Sequence, residues 1–435
     1  MVSKVDLTTI LQLARHGPRG ARVLLRSWGI EMSTGPGPST LTRAVGFWGL
    51  AAAIVNITIG GSIFALPGTL YLTLGPAAPL AYVLGAILFA PIVLCFAAAG
   101  SRFSTTGGPY RYVEAAFGKL PGVLVAALFW ISNVAGSGSM AAILVNQATH
   151  VLPVLEQPLP RAGFLAVVYA FLFTLNARGV KLGARAIIAF AAAKMLPLLL
   201  LAAGGLMLVH PANLQIVTAP DAQSLGRALV VAVFAYSGIE TALAPSGELR
   251  DPARIVPGAA LVGVAIVVVL YVSLQVAAQG VLGAALAGHD APLSAVAERL
   301  VPGTAGLVIV TASVSLIGVL LGDLLGSSRL LYALALDGLL PSALASVSAR
   351  HRVPTLAIFA HAAVGWVLAA SGTFNTLAMV SGAAFCIVYV ACCAAAWRLQ
   401  STGATETSAP FRLPGGGLIP AVGITCLLLV LLSLA

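Results

Sequence analysis

Apolar residues run along this chain in long stretches, and short segments between them hold nearly all of its charge. That alternation predicts a bundle of membrane-crossing helices. Eleven apolar segments lie near residues 45–66, 76–99, 120–149, 163–177, 186–209, 226–246, 257–280, 303–336, 354–371, 374–397 and 418–435. A helix of ~20 residues crosses ~30 Å of hydrocarbon, and there every backbone N–H and C=O must find a partner inside the protein. Two shorter amphipathic patterns interrupt the series. Residues 109–117 follow Gly107-Gly108 and place Tyr110, Val113 and Phe117 on one face, predicting an inner helix at the membrane surface. Leu293, Val296, Ala297 and Leu300 keep helical spacing and predict a short outer helix, a lid or a passive surface element.

Composition supports this pattern. The chain has 435 residues, 59% of them hydrophobic and 8% charged, against about 25% charged in a soluble domain. No separate soluble domain fits. The net charge of +10 does not indicate nucleic acid, because the basic residues sit between the apolar runs. With the N-terminus inside, Arg161, Arg227 and Arg299 fall outside, Lys194 falls within a span, and the other nineteen Lys and Arg fall inside. The positive-inside rule selects this orientation. Residues 1–43 are basic and broken by Gly17-Pro18 and Gly35-Pro36-Gly37-Pro38. They lack the apolar core of a secretory signal and are expected to form a cytoplasmic tail. A core over 44–400 and a loop plus terminal helix over 401–435 complete the expected organisation.

The chemistry of enzymes is not visible. The six His show no H-E-x-x-H pattern, and the five Cys (95, 386, 392, 393, 426) lie inside apolar stretches without metal-ligand spacing. There is no phosphate-binding Gly-rich loop. Neither a metal nor another cofactor is expected.

Two helices carry matching interruptions. The first span contains Ile59-Gly60-Gly61-Ser62-Ile63-Phe64, then Pro67-Gly68. The sixth contains Phe234-Ala235-Tyr236-Ser237-Gly238-Ile239-Glu240, then Pro245 and Gly247. In each, a Gly precedes a Pro by seven residues. The breaks stand five spans apart, an odd offset, which predicts an inverted repeat of about 45–209 against about 226–397. Unwinding frees peptide groups at mid-membrane depth, where lipid cannot satisfy them and a ligand, water or ion can. The exposed half-helix N-terminus favours an anionic group. The alternative is that Gly and Pro merely allow close helix packing.

These residues resemble the amino acid–polyamine–organocation transporter family. The first break is similar to the family's Gly-Ser-Gly-Ile-Phe stretch, although Gly61 and Ser62 exchange the order of Ser and Gly. Gly107-Gly108-Pro109-Tyr110 resembles its Gly-Gly-x-Tyr, and the sixth span its Phe-x-x-x-Gly-x-Glu. The runs from Gly247 to Pro257, from Ser328 to Ala333 and from Asp337 to Pro341 also fit. The resemblance implies an all-α polytopic membrane bundle of the five-plus-five inverted-repeat type. Helices 1 and 6 would be discontinuous, within about 11–12 transmembrane helices. It implies alternating access, with an amino acid or polyamine held between spans 1 and 6. The carboxylate would meet the N–H groups of Gly60, Gly61 and Ser62, flanked by Ile59 and Ile63. The amine would meet carbonyls near Phe234, Ala235 and Ser237, flanked by Tyr236 and Gly238. Some animal relatives join a partner through a Cys between spans 3 and 4. Residues 150–162 hold none, so no disulfide-linked partner is expected.

Ionisable residues within spans are functional candidates, since a charge at mid-bilayer costs about 2.5–3.5 kcal/mol on insertion scales. Lys194 interrupts span 5, and the resemblance places a Lys there in the position of a bound sodium ion, as a proton-coupling group. The alternative is a Lys that caps carbonyls. Glu240 follows the span 6 break and either responds to protons or caps freed N–H groups. Asp323 in span 8 is expected to face the substrate, paired with Lys194 or with a cationic substrate. Asn133 in span 3 is a further cavity candidate, and Trp130 there is either a second one or a lipid or packing contact. Glu248, Arg250, Asp251 and Arg254 read as an inner gate or ion-pair cluster. The expected function is therefore secondary active transport of amino acids across the cell membrane, proton-coupled or by exchange. The alternatives are a sodium-coupled carrier of another organic solute, a channel, or a membrane sensor that binds without transport.

Overall fold

A computed structural model of the chain describes residues 41–434 apart from 42, 150–151, 217–218, 290 and 372–373. Except for Leu41 and Arg43, the tail expected over 1–43 lies outside the described residues. Among them there is no strand, only one isolated bridge between Val45 and Leu249. Seven helices are long and apolar enough to cross a membrane, and four shorter apolar helices accompany them. These are the eleven expected spans. Span 1 is Phe47–Thr58 followed by Leu66–Leu74, and span 6 is Ala222–Ala235 followed by Ile239–Leu243. The others are Ala78–Gly100, Lys119–Thr149, Pro158–Ala177 and Val180–Met207 for spans 2 to 5. Spans 7 to 11 are Pro252–Leu282, Ala305–Leu336, Thr355–Ala370, Phe374–Thr402 and Leu418–Leu434.

Several ends differ from the sequence expectation. Span 1 runs on to Leu74, leaving only Gly75–Ala77 before span 2. Span 5 begins at Val180, so Lys181 and Arg185 sit in its first turns, where long basic side chains can reach the interface. Span 7 begins at Pro252, which supplies the fixed φ of a first helical turn.

The outward faces carry large apolar side chains. Val167, Leu200, Val269 and Leu429 are exposed by 70, 64, 66 and 62%. A belt of this kind in water would drive association. Against hydrocarbon it is at equilibrium, and the chain is a multi-pass membrane protein.

Inside the bundle, helices approach through small residues. Gly318, Gly322 and Gly326 stand four residues apart on one face of span 8. A Cβ there would lie 2.6 Å from Asn56 Oδ1, 2.7 Å from Ile57 Cγ1 and 2.5 Å from the Thr241 carbonyl oxygen, respectively. Only glycine lets span 8 come this close to the interruptions of spans 1 and 6.

Spans 1, 6 and 8 are tied together at one end, beside residues 44–45 and 248–250. The backbone N–H groups of Ala44 and Val45 donate to the Glu248 carbonyl (3.0 Å each), and Arg250 N–H donates to the Val45 carbonyl (3.1 Å). Arg329 Nε donates to Glu248 Oε1 at 2.7 Å, with both side chains fully buried. The charged inner loop thus divides: Glu248 is a buried partner of Arg329, while Asp251 and Arg254 form an exposed pair at 3.6 Å.

The two short helices form. In Pro109–Phe117, Tyr110, Tyr112, Val113 and Ala116 are buried in the protein. Phe117, expected on that same face, is instead exposed beneath the Arg398 guanidinium. The element therefore packs under the bundle rather than lying free on the membrane. The Tyr110 hydroxyl donates to Asp337 Oδ2 (2.7 Å), and Arg111 bridges Glu114 and Asp337. Burial, then the adjacent Asp337 and Glu114 carboxylates, push the Tyr110 phenol well up, so it remains a donor at neutral pH. The outer helix Pro292–Leu300 buries Leu293, Val296 and Ala297.

Glu248→Gln leaves the buried Arg329 cation uncompensated, and removing one partner of such a pair costs about 3–5 kcal/mol. Its thermal unfolding midpoint in detergent is expected to fall sharply, while that of Asp251→Asn, at the exposed pair, stays near the unmodified protein's.

Candidate functional site

Both interruptions are present. Helix geometry stops at Thr58, the backbone passes Ile59–Gly61 outside a helix, and a single 3-10 turn (Ser62–Phe64) leads to Leu66. In span 6 it stops at Ala235 and resumes at Ile239. Gly238 makes that turn with φ 129°, a region L side chains avoid. A Cβ on it would lie 2.9 Å from Ile57 Cγ2 and 3.2 Å from the Thr58 nitrogen. The two breaks therefore face each other across van der Waals contact.

The carbonyls released by span 1 are met by side chains from three other spans. Lys194 Nζ donates to the Asn56 and Ile59 carbonyls at 2.6 Å each and lies 3.3 Å from Ser315 Oγ. Ser315 Oγ is within reach of the Ile59 and Gly60 carbonyls (2.8 and 3.1 Å), and the Tyr271 hydroxyl donates to the Thr58 carbonyl (3.0 Å). An ammonium has three donors, and here all three are used. The helix C-terminus is also the negative end of its dipole, where a cation is favoured. Lys194 is fully buried, and no ion pair with a carboxylate forms among the described residues. Of the readings open for Lys194, it caps carbonyls, and it forms no pair with Asp323.

The span 6 break has the opposite chemistry. Glu240 Oε2 accepts from the Gly238 N–H (3.1 Å) and from the Tyr389 hydroxyl (2.5 Å), and Thr241 Oγ1 is 3.3 Å from Oε1. An acid thus sits at the N-terminus of the resumed half-helix, where the dipole is positive. Thr241 Oγ1 donates to Asn133 Oδ1 (2.7 Å), and Asn133 Nδ2 donates to the Phe129 carbonyl (2.9 Å). Span 3 is thereby fastened to the break.

Between the breaks and spans 3, 8 and 10 lies a cavity of about 490 Å³. Of the sequence candidates, Asn133, Ala235, Ser237, Gly238, Glu240 and Asp323 line it. Gly60 adjoins it, since a Cβ there would meet Met140 and Val319, two lining residues, at 3.9 and 4.0 Å. Its own N–H is engaged by the Thr58 carbonyl (2.9 Å). Ile59 and Ile63 are buried, and Ile59 contributes its carbonyl to the Lys194 cage. Gly61 is half-buried, with a Leu316 methyl 2.8 Å from where its Cβ would be. Tyr236 turns away from the cavity, its hydroxyl donating to the Tyr82 carbonyl (3.0 Å) and its ring stacking on Tyr271. The side chains of Ser62 and Phe234 lie outside the described residues.

Trp130 is not among the lining residues; its ring meets the His361 ring edge-on, with centroids 6.3 Å apart. Asp323 Oδ2 lies 3.0 Å from His361 Nε2, and Ser327 Oγ donates to Oδ1 at 3.0 Å. Sequence reasoning missed His361, and also the polar lining of Ser132, Ser137, Thr241 and Ser381. The signal available was the four-residue spacing of Ser315, Val319, Asp323 and Ser327 on span 8, which places break, cavity wall and acid on one stripe.

A multi-pass membrane protein with a cavity walled by two interrupted helices, one held by a buried lysine and the other by a buried glutamate, has the layout of a solute permease. The chain belongs to the Amino acid permease family, whose model matches residues 45–435. It is similar to the branched-chain amino acid permease BcaP of Bacillus subtilis, 25% identical over 91% of this chain and 89% of that protein. It is also similar to the mouse large neutral amino acids transporter small subunit 2, 28% identical over 75% of this chain but only 65% of that protein. The chloroplastic cationic amino acid transporter 9 of Arabidopsis thaliana is 25% identical over 70% of this chain and 57% of its own length.

Gly238→Ala forces a side chain into a backbone region that costs about 1–3 kcal/mol and pushes the two breaks apart. Ligand-induced thermal stabilisation is expected to disappear in this variant, while Gly226→Ala, whose Cβ would meet open space, retains it.

Proposed function

We propose that this chain is a secondary active amino acid transporter working by alternating access at the cavity between spans 1 and 6. Spans 1–5 and 6–10 would act as the two inverted halves. The amino acid carboxylate would meet the amides of Gly61 and Ser62, and its amine the carbonyls near Ala235 and Ser237. The family supports amino acids as cargo, and the cavity volume falls within the range of small-molecule sites, about 300–1,000 Å³. The distribution of basic residues supports a cytoplasmic N-terminus in a cell membrane.

One observation carries the coupling: Lys194 Nζ sits on the carbonyls of Asn56 and Ile59. A bound sodium ion would need those same oxygens, so the ammonium excludes it. A proton leaving Nζ removes one of three donors and points a lone pair at a carbonyl. That loosens the span 1 break, so protonation and the shape of the site are linked. This favours proton coupling or exchange over a sodium-coupled carrier.

The test is counterflow and uptake of labelled amino acids in proteoliposomes. Accumulation is expected to follow an inward proton gradient and to be indifferent to sodium, and Lys194→Ala is expected to lose the stimulation by that gradient. Sodium-dependent uptake, or a gradient response that survives Lys194→Ala, contradicts the coupling; binding without counterflow points to a sensor.

A further inference from the structure

The cavity wall is unbalanced in charge. Its lining includes two acids, Glu240 and Asp323, and neither Lys nor Arg. Glu240 is committed to the span 6 break through Gly238 and Tyr389. Asp323 is not committed in the same way. A carboxylate has about four acceptor positions, and Asp323 receives two protein donors, the Ser327 hydroxyl and His361 Nε2. Its remaining acceptor capacity is at the cavity wall.

His361 is the ionisable partner of that carboxylate. The ring is buried between Asp323 and Trp130, and no protein group among the described residues bonds Nδ1. A neutral imidazole with its proton on Nε2 satisfies this geometry: Nε2–H donates to Asp323, and Nδ1 carries only a lone pair. An imidazolium would add a buried N–H with no acceptor. The tautomer follows from the network. The other ionisable neighbour, Tyr169 of span 4, reaches Gly365 one turn along from His361, with its hydroxyl 2.9 Å from the position of a Cβ there. It brings no positive charge.

We propose that Asp323, positioned by His361 and Ser327, is the subsite for a second positive charge on the substrate, so that the protein selects amino acids with cationic side chains over neutral ones. This rests on the cavity being the transport site. A lysine, ornithine or arginine side chain would pair with Asp323 in a site of low dielectric, where the attraction is strong. A neutral amino acid would leave the carboxylate uncompensated when the site closes, which penalises the wrong substrate as well as rewarding the right one.

The experiment is binding and uptake of lysine, ornithine, arginine and leucine by the full-length protein in nanodiscs and proteoliposomes. The unmodified protein is expected to prefer the cationic amino acids. Asp323→Asn is expected to lose roughly 30-fold or more of lysine affinity, with leucine affinity retained or raised. Asp323→Glu keeps the charge but advances it by one methylene, and is expected to shift preference from lysine toward the shorter ornithine. His361→Gln, whose amide can still donate to Asp323, is expected to keep lysine binding, while His361→Leu raises the lysine KM with little change in kcat. Leucine transport without binding of any cationic amino acid, or unchanged lysine affinity in Asp323→Asn, overturns the proposal and leaves the carrier reading intact. Failure to bind any of the four overturns both.

Discussion

Peptide groups released in the middle of a bilayer must be bonded by something other than lipid, and the arrangement of this protein follows from that constraint. Span 1 ends a half-helix at Thr58 and exposes carbonyls; a lysine from span 5, a serine from span 8 and a tyrosine from span 7 meet them. Span 6 restarts a half-helix at Ile239 and exposes an N–H; Glu240, backed by Tyr389 of span 10, meets it. Lys194 stands at the negative end of one dipole and Glu240 at the positive end of the other. Each of these side chains thus meets backbone rather than the other.

Around these breaks the rest of the bundle supplies distance and closure. The glycine stripe of span 8 brings Asn56, Ile57 and Thr241 within reach. The buried Glu248–Arg329 pair and the backbone bonds from Ala44 and Val45 to the Glu248 carbonyl tie the same three spans together at one end. The cavity is lined on its span 6 side by Val230 and Val231 as well as by the residues of the break.

Much of this was legible in the sequence, and the part that was not has a physical reason. Apolar length located all eleven spans, and paired Gly and Pro located both interruptions, because these signals depend on composition along the chain. Partners depend on which face a helix turns inward. A membrane helix is apolar all round, so its face is hidden from periodicity. Hence the sequence marks Lys194 as unusual and offers carbonyl capping as one of its two readings without naming the carbonyls, and it gives no sign that His361 lies beside Asp323. Trp130, which the sequence leaves between a cavity role and a packing contact, packs on His361. Phe117 shares the sequence spacing of Tyr110 and Val113, yet sits at the helix end, beyond the reach of the bundle.

The central claim is that the two interrupted segments hold the substrate by their peptide groups. Amide hydrogen exchange of the protein in nanodiscs, with and without a transported amino acid, tests this directly. Binding is expected to slow exchange at residues 59–63 and 234–239, with little change in spans 4 and 11. Ligand-dependent protection elsewhere, with exchange at both segments unaltered, would contradict the account.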